Sequence, residues 1–151
     1  MTRLPIPDSI DGFFKPTSID VARKLVGMEI TSPKGAYIIS SSKAYLGDNK
    51  HTQSKPRLLY GGIMVFNLRG HLHFCVSTGQ NPEQDYVLIH KVHDGVQEID
   101  TSSAVSKALG LTLGHDSARF SDYFSLWGMT QKSAFRKDKA ETCIGIYELV
   151  R

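Results

Sequence analysis

The sequence predicts a single α+β domain, one antiparallel sheet with helices packed around it. Three observations carry that expectation. Apolar runs of strand length, separated by short polar turns, fill the first two thirds of the chain. Two segments carry start and stop signals for helices. A chain of 151 residues can bury roughly 70% of the surface its unfolded form exposes, enough for one core without metal or disulfide staples. A hydrophobic fraction of 40% and a charged fraction of 22% belong to an ordinary globular protein and exclude collagen-like and disordered classes.

Residues 1–16 hold three of the six prolines, so the start reads as an arm over residues 1–12, with Phe13-Phe14 to pin it to the core. A helix follows: Thr17 with Asp20 makes a start resembling a capping box, Ile19, Ala22, Leu25 and Val26 form an apolar stripe, and Gly27 is a stop. Met28 to Thr31 and Ala36 to Ala44 read as strands joined by Ser32-Pro33-Lys34-Gly35. After a polar loop, Ile63 to Leu68 and His71 to Ser77 form a second hairpin through Arg69-Gly70. Tyr86 to Val92 is a further strand, and Ser102 to Leu109 a helix closed by Gly110. The segment from Asp116 to Trp127 is expected to be partly helical and Cys143 to Val150 a terminal strand.

No run approaches the ~18 apolar residues of a membrane span, and Met1 to Pro7 lacks the apolar centre of a signal peptide, so a cytoplasmic, nucleoid-associated location with no membrane partner is expected. Cys75 and Cys143 sit in apolar runs and read as small buried hydrophobes. The net charge of +3 permits a polyanionic partner. Basic residues gather at Lys50 to Arg57 and at Lys132 to Lys139, either as nucleic-acid contacts or as solvated loops.

Several side chains carry possible chemistry. Lys43 ends an apolar strand, and a lysine brought against a dry pocket can become a nucleophile; a solvent-facing lysine is the plain alternative. His71 and His73 alternate on a strand and share one face, a spacing compatible with a metal site with His51, His90 or Asp85 as third ligand, although alternation on a half-buried strand explains the pair more simply. No metal or other cofactor is expected. His90 and His93 stand at a strand end, a common place for site residues. The sequence holds no phosphate-binding glycine loop, nucleophile elbow or His-Glu-x-x-His motif, which leaves the common nucleotide, hydrolase and zinc-protease readings without an anchor.

The order of these segments resembles the alkyladenine (3-methyladenine) DNA glycosylase family. The likeness runs through Phe13-Phe14-Lys15-Pro16, Val21-Ala22-Arg23-Lys24-Leu25-Val26-Gly27-Met28, Ala44-Tyr45-Leu46-Gly47 and His51, then Val65-Phe66-Asn67-Leu68-Arg69-Gly70, Phe74-Cys75-Val76 and Val87-Leu88-Ile89. It closes with Ser106-Lys107-Ala108-Leu109-Gly110-Leu111 and Ile144-Gly145-Ile146. Each piece is short, and the shared order carries the resemblance. It implies a curved antiparallel sheet flanked by helices and a monomer that binds double-stranded DNA with a damaged base. The damaged purine is flipped into a pocket and its glycosidic bond is cleaved.

By the same resemblance Tyr45 and Phe66 would wall the base, with His51 at the floor and Arg69 at the tip that meets DNA, and the basic cluster supplies Lys50, Lys55 and Arg57 as further DNA contacts. The departures are specific. Where the family has a water-activating acid in "E-x-E-A-Y", this chain has Ser41-Ser42-Lys43-Ala44-Tyr45; His90 stands where the family has arginine, and Arg69 where it has a wedging tyrosine. Three readings follow. Lys43 attacks as an amine, with His51 or His90 handling protons. Alternatively, Asp48, Asp85 or His51 activates water from a shifted position. In the third, the pocket binds nucleic acid or a nucleobase without catalysis.

Overall fold

The computed structural model describes residues 3–5, 10–45, 60–79, 85–129, 135–140 and 143–149. In chain order these form strand β1 (Arg3–Pro5), helices α1 (Ile10–Phe13) and α2 (Ser18–Leu25), and strands β2 (Glu29–Ser32), β3 (Gly35–Tyr45), β4 (Ile63–Leu68), β5 (His71–Ser77), β6 (Tyr86–His93) and β7 (Glu98–Ile99). Helix α3 (Ser102–Leu109), a short 3-10 turn (Leu113–His115) and α4 (Phe120–Tyr123) follow, then β8 (Ser125–Met129), β9 (Phe135–Ala140) and β10 (Cys143–Leu149). The class is α+β.

All strands join one antiparallel sheet whose main path runs β1-β8-β2-β3-β6-β5-β4. The long β3 is its axis. One edge pairs first with β2 and then with β10, and the other pairs with β6. Alternation along the central strands splits their side chains between two faces. Ile63 and Val65, Phe74 and Val76, and Val87 and Ile89 join Val21, Ala22 and Leu25 of α2 and Val105 and Leu109 of α3 in the larger core. Their neighbours Met64 and Phe66, Cys75, and Tyr86 and Leu88 form a smaller cluster with Tyr45 and Ile146. Burial on both faces is why these strands read as continuous apolar runs.

Local signals act as the residue types require. Thr17 caps α2 by accepting a hydrogen bond from the Asp20 amide at 3.4 Å. Gly110 closes α3 in the left-handed conformation at φ 74°, which explains why a glycine stands there. Buried Ser18 donates to the Tyr45 carbonyl at 2.7 Å and shares a 2.7 Å hydrogen bond with the Thr78 hydroxyl, tying α2 to the end of β3.

The structure corrects two expectations and bears out a third, the partly helical segment from Asp116 to Trp127, while narrowing it. Within the arm over residues 1–12, Arg3–Pro5 pairs with β8 as an edge strand, the setting in which a proline is tolerated, and Ile10–Phe13 is helical. Between Asp116 and Trp127 only Phe120–Tyr123 is α-helical, and Ser125 onward is strand, because β8 fills the sheet position between β1 and β2. The basic segment Lys132 to Lys139 contains most of β9, which pairs with β10. No helix among the described residues is long and apolar enough to cross a membrane.

Candidate functional site

The face of the sheet carrying the smaller cluster also holds a cavity of about 260 Å³. Strand register assembles it. Lys43 lies opposite Leu88, Tyr45 opposite Tyr86, Leu88 opposite Cys75 and Phe66 opposite His73, so alternate residues of four strands project to one side. The lining consists of these residues with Leu68, His90 and Ser102, the last from the first turn of α3. The volume lies just below the ~300 Å³ lower end of drug-sized ligand sites, the scale of a small polar-tipped ligand.

The aromatic rings are not spaced as two walls with a gap. Tyr86 stacks on Tyr45 with centroids 4.6 Å apart and planes 18° from parallel, and its centroid is 5.2 Å from that of Phe66 at 57°. In the strand order β3-β6-β5-β4, Tyr86 on β6 stands between Tyr45 on β3 and Phe66 on β4. A third ring therefore occupies the interval between the two residues expected to wall a base. All three are at most 9% exposed.

The polar side of the cavity is built on a double irregularity. Ile39 pairs with Val92, Ser41 with Lys91 and Ser42 with Ile89, which leaves Ser40 on β3 and His90 on β6 without register partners. Such bulges bend a strand and re-aim a side chain. His90 Nδ1 lies 3.0 Å from the buried Ser41 hydroxyl. Burial, then the positive charges of Lys43 and Lys91, push the His90 pKa down to about 4, against smaller upward effects of Glu148 and Asp100. Lys91 Nζ and Glu148 Oε1 form an ion pair at 3.5 Å. The His73 pKa is also lowered, first by burial, then by His71 and Lys43. At neutral pH the cavity thus presents one lysine beside two uncharged imidazoles.

Lys43, Tyr45, Phe66 and His90 meet at this one cavity. His51, Lys50, Lys55, Arg57 and Asp48 lie outside the described residues. Asp85 precedes β6 and does not line the cavity, and among the described residues no carboxylate does. His71 is exposed and pairs its Nδ1 with the Ser103 hydroxyl at 2.6 Å, while His73 lines the cavity. Among the described residues no three His, Cys, Asp or Glu side chains are grouped to hold a metal ion. His93 accepts from the Gly95 amide at 3.2 Å in the turn after β6.

Arg69 occupies the exposed tip of the β4–β5 hairpin at φ 54°, followed by Gly70 at φ 83°. Positive φ at both central residues is the pattern of a type I′ turn, in which arginine is an uncommon choice.

Sequence reasoning missed Tyr86, Leu88 and Ser41. The first two were within reach: once Tyr45 and Tyr86 are placed at the ends of paired strands, alternation puts Tyr86 and Leu88 on the lysine face. No short sequence signal marks the bulges beside Ser41 and His90. Comparison with models of protein families and with curated protein sequences finds no match to this chain.

Proposed function

We propose that this chain is a DNA repair protein of the base-excision type, resembling the 3-methyladenine DNA glycosylases, in which Lys43 replaces activated water as the nucleophile. The observation that carries this reading is the convergence of Lys43, His73 and His90 on one aromatic-lined cavity that no described carboxylate enters. An amine with a neutral imidazole beside it is the pair required to attack the C1′ carbon of a damaged nucleotide and then move protons. Lys43 displaces the damaged base and becomes joined to C1′ as an imine once the sugar ring opens.

DNA is engaged through the exposed Arg69 tip, where a guanidinium suits a phosphate or a minor-groove edge. Turning a nucleotide out of the stack costs a few kcal/mol.

Borohydride reduction during incubation with duplexes holding an alkylated purine or an abasic site tests the reading. A covalent adduct with wild type that is lost in Lys43→Ala is expected. Absence of an adduct on both duplexes would refute it. A second reading, a nucleic-acid or nucleobase binding module without catalysis, draws on Tyr86 filling the interval between Tyr45 and Phe66. It predicts duplex binding that weakens with salt and leaves the DNA chemically unchanged.

A further inference from the structure

We propose that the substrate of this site is a nucleotide that has already lost its base, taken as its ring-opened deoxyribose aldehyde, with Tyr86 standing where a base would otherwise stack. The inference rests on the reading of Lys43 as nucleophile and replaces displacement of a damaged base with attack on a site whose base is already gone.

Two features of the cavity lead there. The interval between Tyr45 and Phe66 already contains a ring: Tyr86 is only 3% exposed and stacked at 4.6 Å on Tyr45, so a purine would have to displace a packed side chain. The remaining space of about 260 Å³ is bordered by Lys43, His73 and His90 on its polar side. A sugar aldehyde is acyclic and small, carries its reactivity at one carbonyl carbon, and presents no ring to stack. An amine and a neutral base are what its chemistry uses, whereas release of an intact base by water calls for an acid or a carboxylate-activated water.

The steps balance without a further reagent. The Lys43 amine adds to the C1′ aldehyde, and loss of one water gives an imine. A neutral imidazole, that of His90, takes a proton from C2′. The C3′–O bond breaks and the 3′ phosphate leaves with its electron pair, so the strand is cut and an unsaturated imine remains. One water then hydrolyses the imine, returns Lys43 as the amine and frees the unsaturated aldehyde, and His90 returns its proton to solvent.

The experiment compares wild type on matched duplexes with an abasic site, an alkylated purine or no lesion. Strand cleavage and a borohydride-trapped adduct are expected on the abasic duplex at least tenfold faster than any base release from the alkylated one. If wild type forms the Lys43 adduct and releases the alkylated base at a comparable rate, the nucleophile stands and this inference falls. No adduct on either duplex overturns the nucleophile as well. Binding of free adenine tests Tyr86 directly. Tyr86→Ala should bind adenine at least tenfold more tightly than wild type, and Tyr86→Phe should not. Equal affinity in wild type and Tyr86→Ala would overturn the assignment of Tyr86. If Tyr86→Ala does not fold, the wild-type comparison on the three duplexes decides alone.

Discussion

Acidification should weaken this fold through His90, and His90→Gln should remove that weakness. The half-buried imidazole feels the charges of Lys43, Lys91, Glu148 and Asp100, and the sum of burial and the two lysines holds its pKa at about 4 against an ordinary 6.5. Between those values the unfolded chain binds a proton that the folded chain does not. The contribution of His90 to stability is therefore full above pH 6.5, falls as pH drops through the window, and is lost by about pH 4. At ~1.4 kcal/mol per pH unit the window is worth roughly 3 kcal/mol, and solvent screening of a partly exposed ring lowers this to about 2. For a domain of this size that is a fall in Tm of about 4–8 °C attributable to one side chain. Urea unfolding at pH 7.5, 5.5 and 4, run on wild type and His90→Gln, reads it. The variant keeps a donor for Ser41 but cannot titrate. If both lose stability in parallel, or if the His90 ring resonance titrates near 6.5, the account of His90 as a neutral base is wrong.

Ser18→Ala should cost about 1–3 kcal/mol in urea unfolding, because it leaves the Thr78 hydroxyl and the Tyr45 carbonyl short of a buried partner. Arg69→Asn should stabilise the chain by about 0.5–1 kcal/mol through a residue suited to φ 54°, while weakening duplex binding and lowering its salt dependence by about one ion. Ser41→Ala, acting through His90, should leave borohydride trapping intact but slow strand cleavage several-fold and alter the nitrogen chemical shifts of the His90 ring. Lys43→Glu should raise the pKa of both His90 and His73 in ring titration, since it replaces a repelling charge with an attracting one.

Much of the frame was legible in the sequence. Ile63–Leu68, the Arg69-Gly70 turn and His71–Ser77 coincide with β4, its hairpin and β5, and Ser102–Leu109 with Gly110 coincides with α3 and its cap. These elements announce themselves locally, by apolar alternation and by a glycine that the turn or cap requires. Arg3–Pro5, Glu98–Ile99 and Phe135–Ala140 were not recognised as strands, because they are strands only by pairing with β8, β6 and β10. Short, polar or proline-bearing segments carry no periodicity of their own, and tertiary partners decide them. In the site, Lys43, Tyr45, Phe66 and His90 could be nominated singly. Their meeting depends on the register between β3 and β6, which a sequence does not print.

That register also explains why a lysine and a neutral histidine belong together here. The pairs that flank the irregularity, Ile39 with Val92 and Ser42 with Ile89, share one register in which Ser41 would stand opposite His90; the local shift pairs Ser41 with Lys91 instead, and the His90 ring still meets the Ser41 hydroxyl. In the tautomer that carries its proton on Nδ1, His90 donates to Ser41 and keeps its lone pair on Nε2, the nitrogen that a proton acceptor's role needs. A carboxylate at position 43 would stabilise the imidazolium and remove that lone pair at neutral pH, whereas the Lys43 charge does the reverse. The lysine at position 43 thus helps to keep its neighbour uncharged at neutral pH.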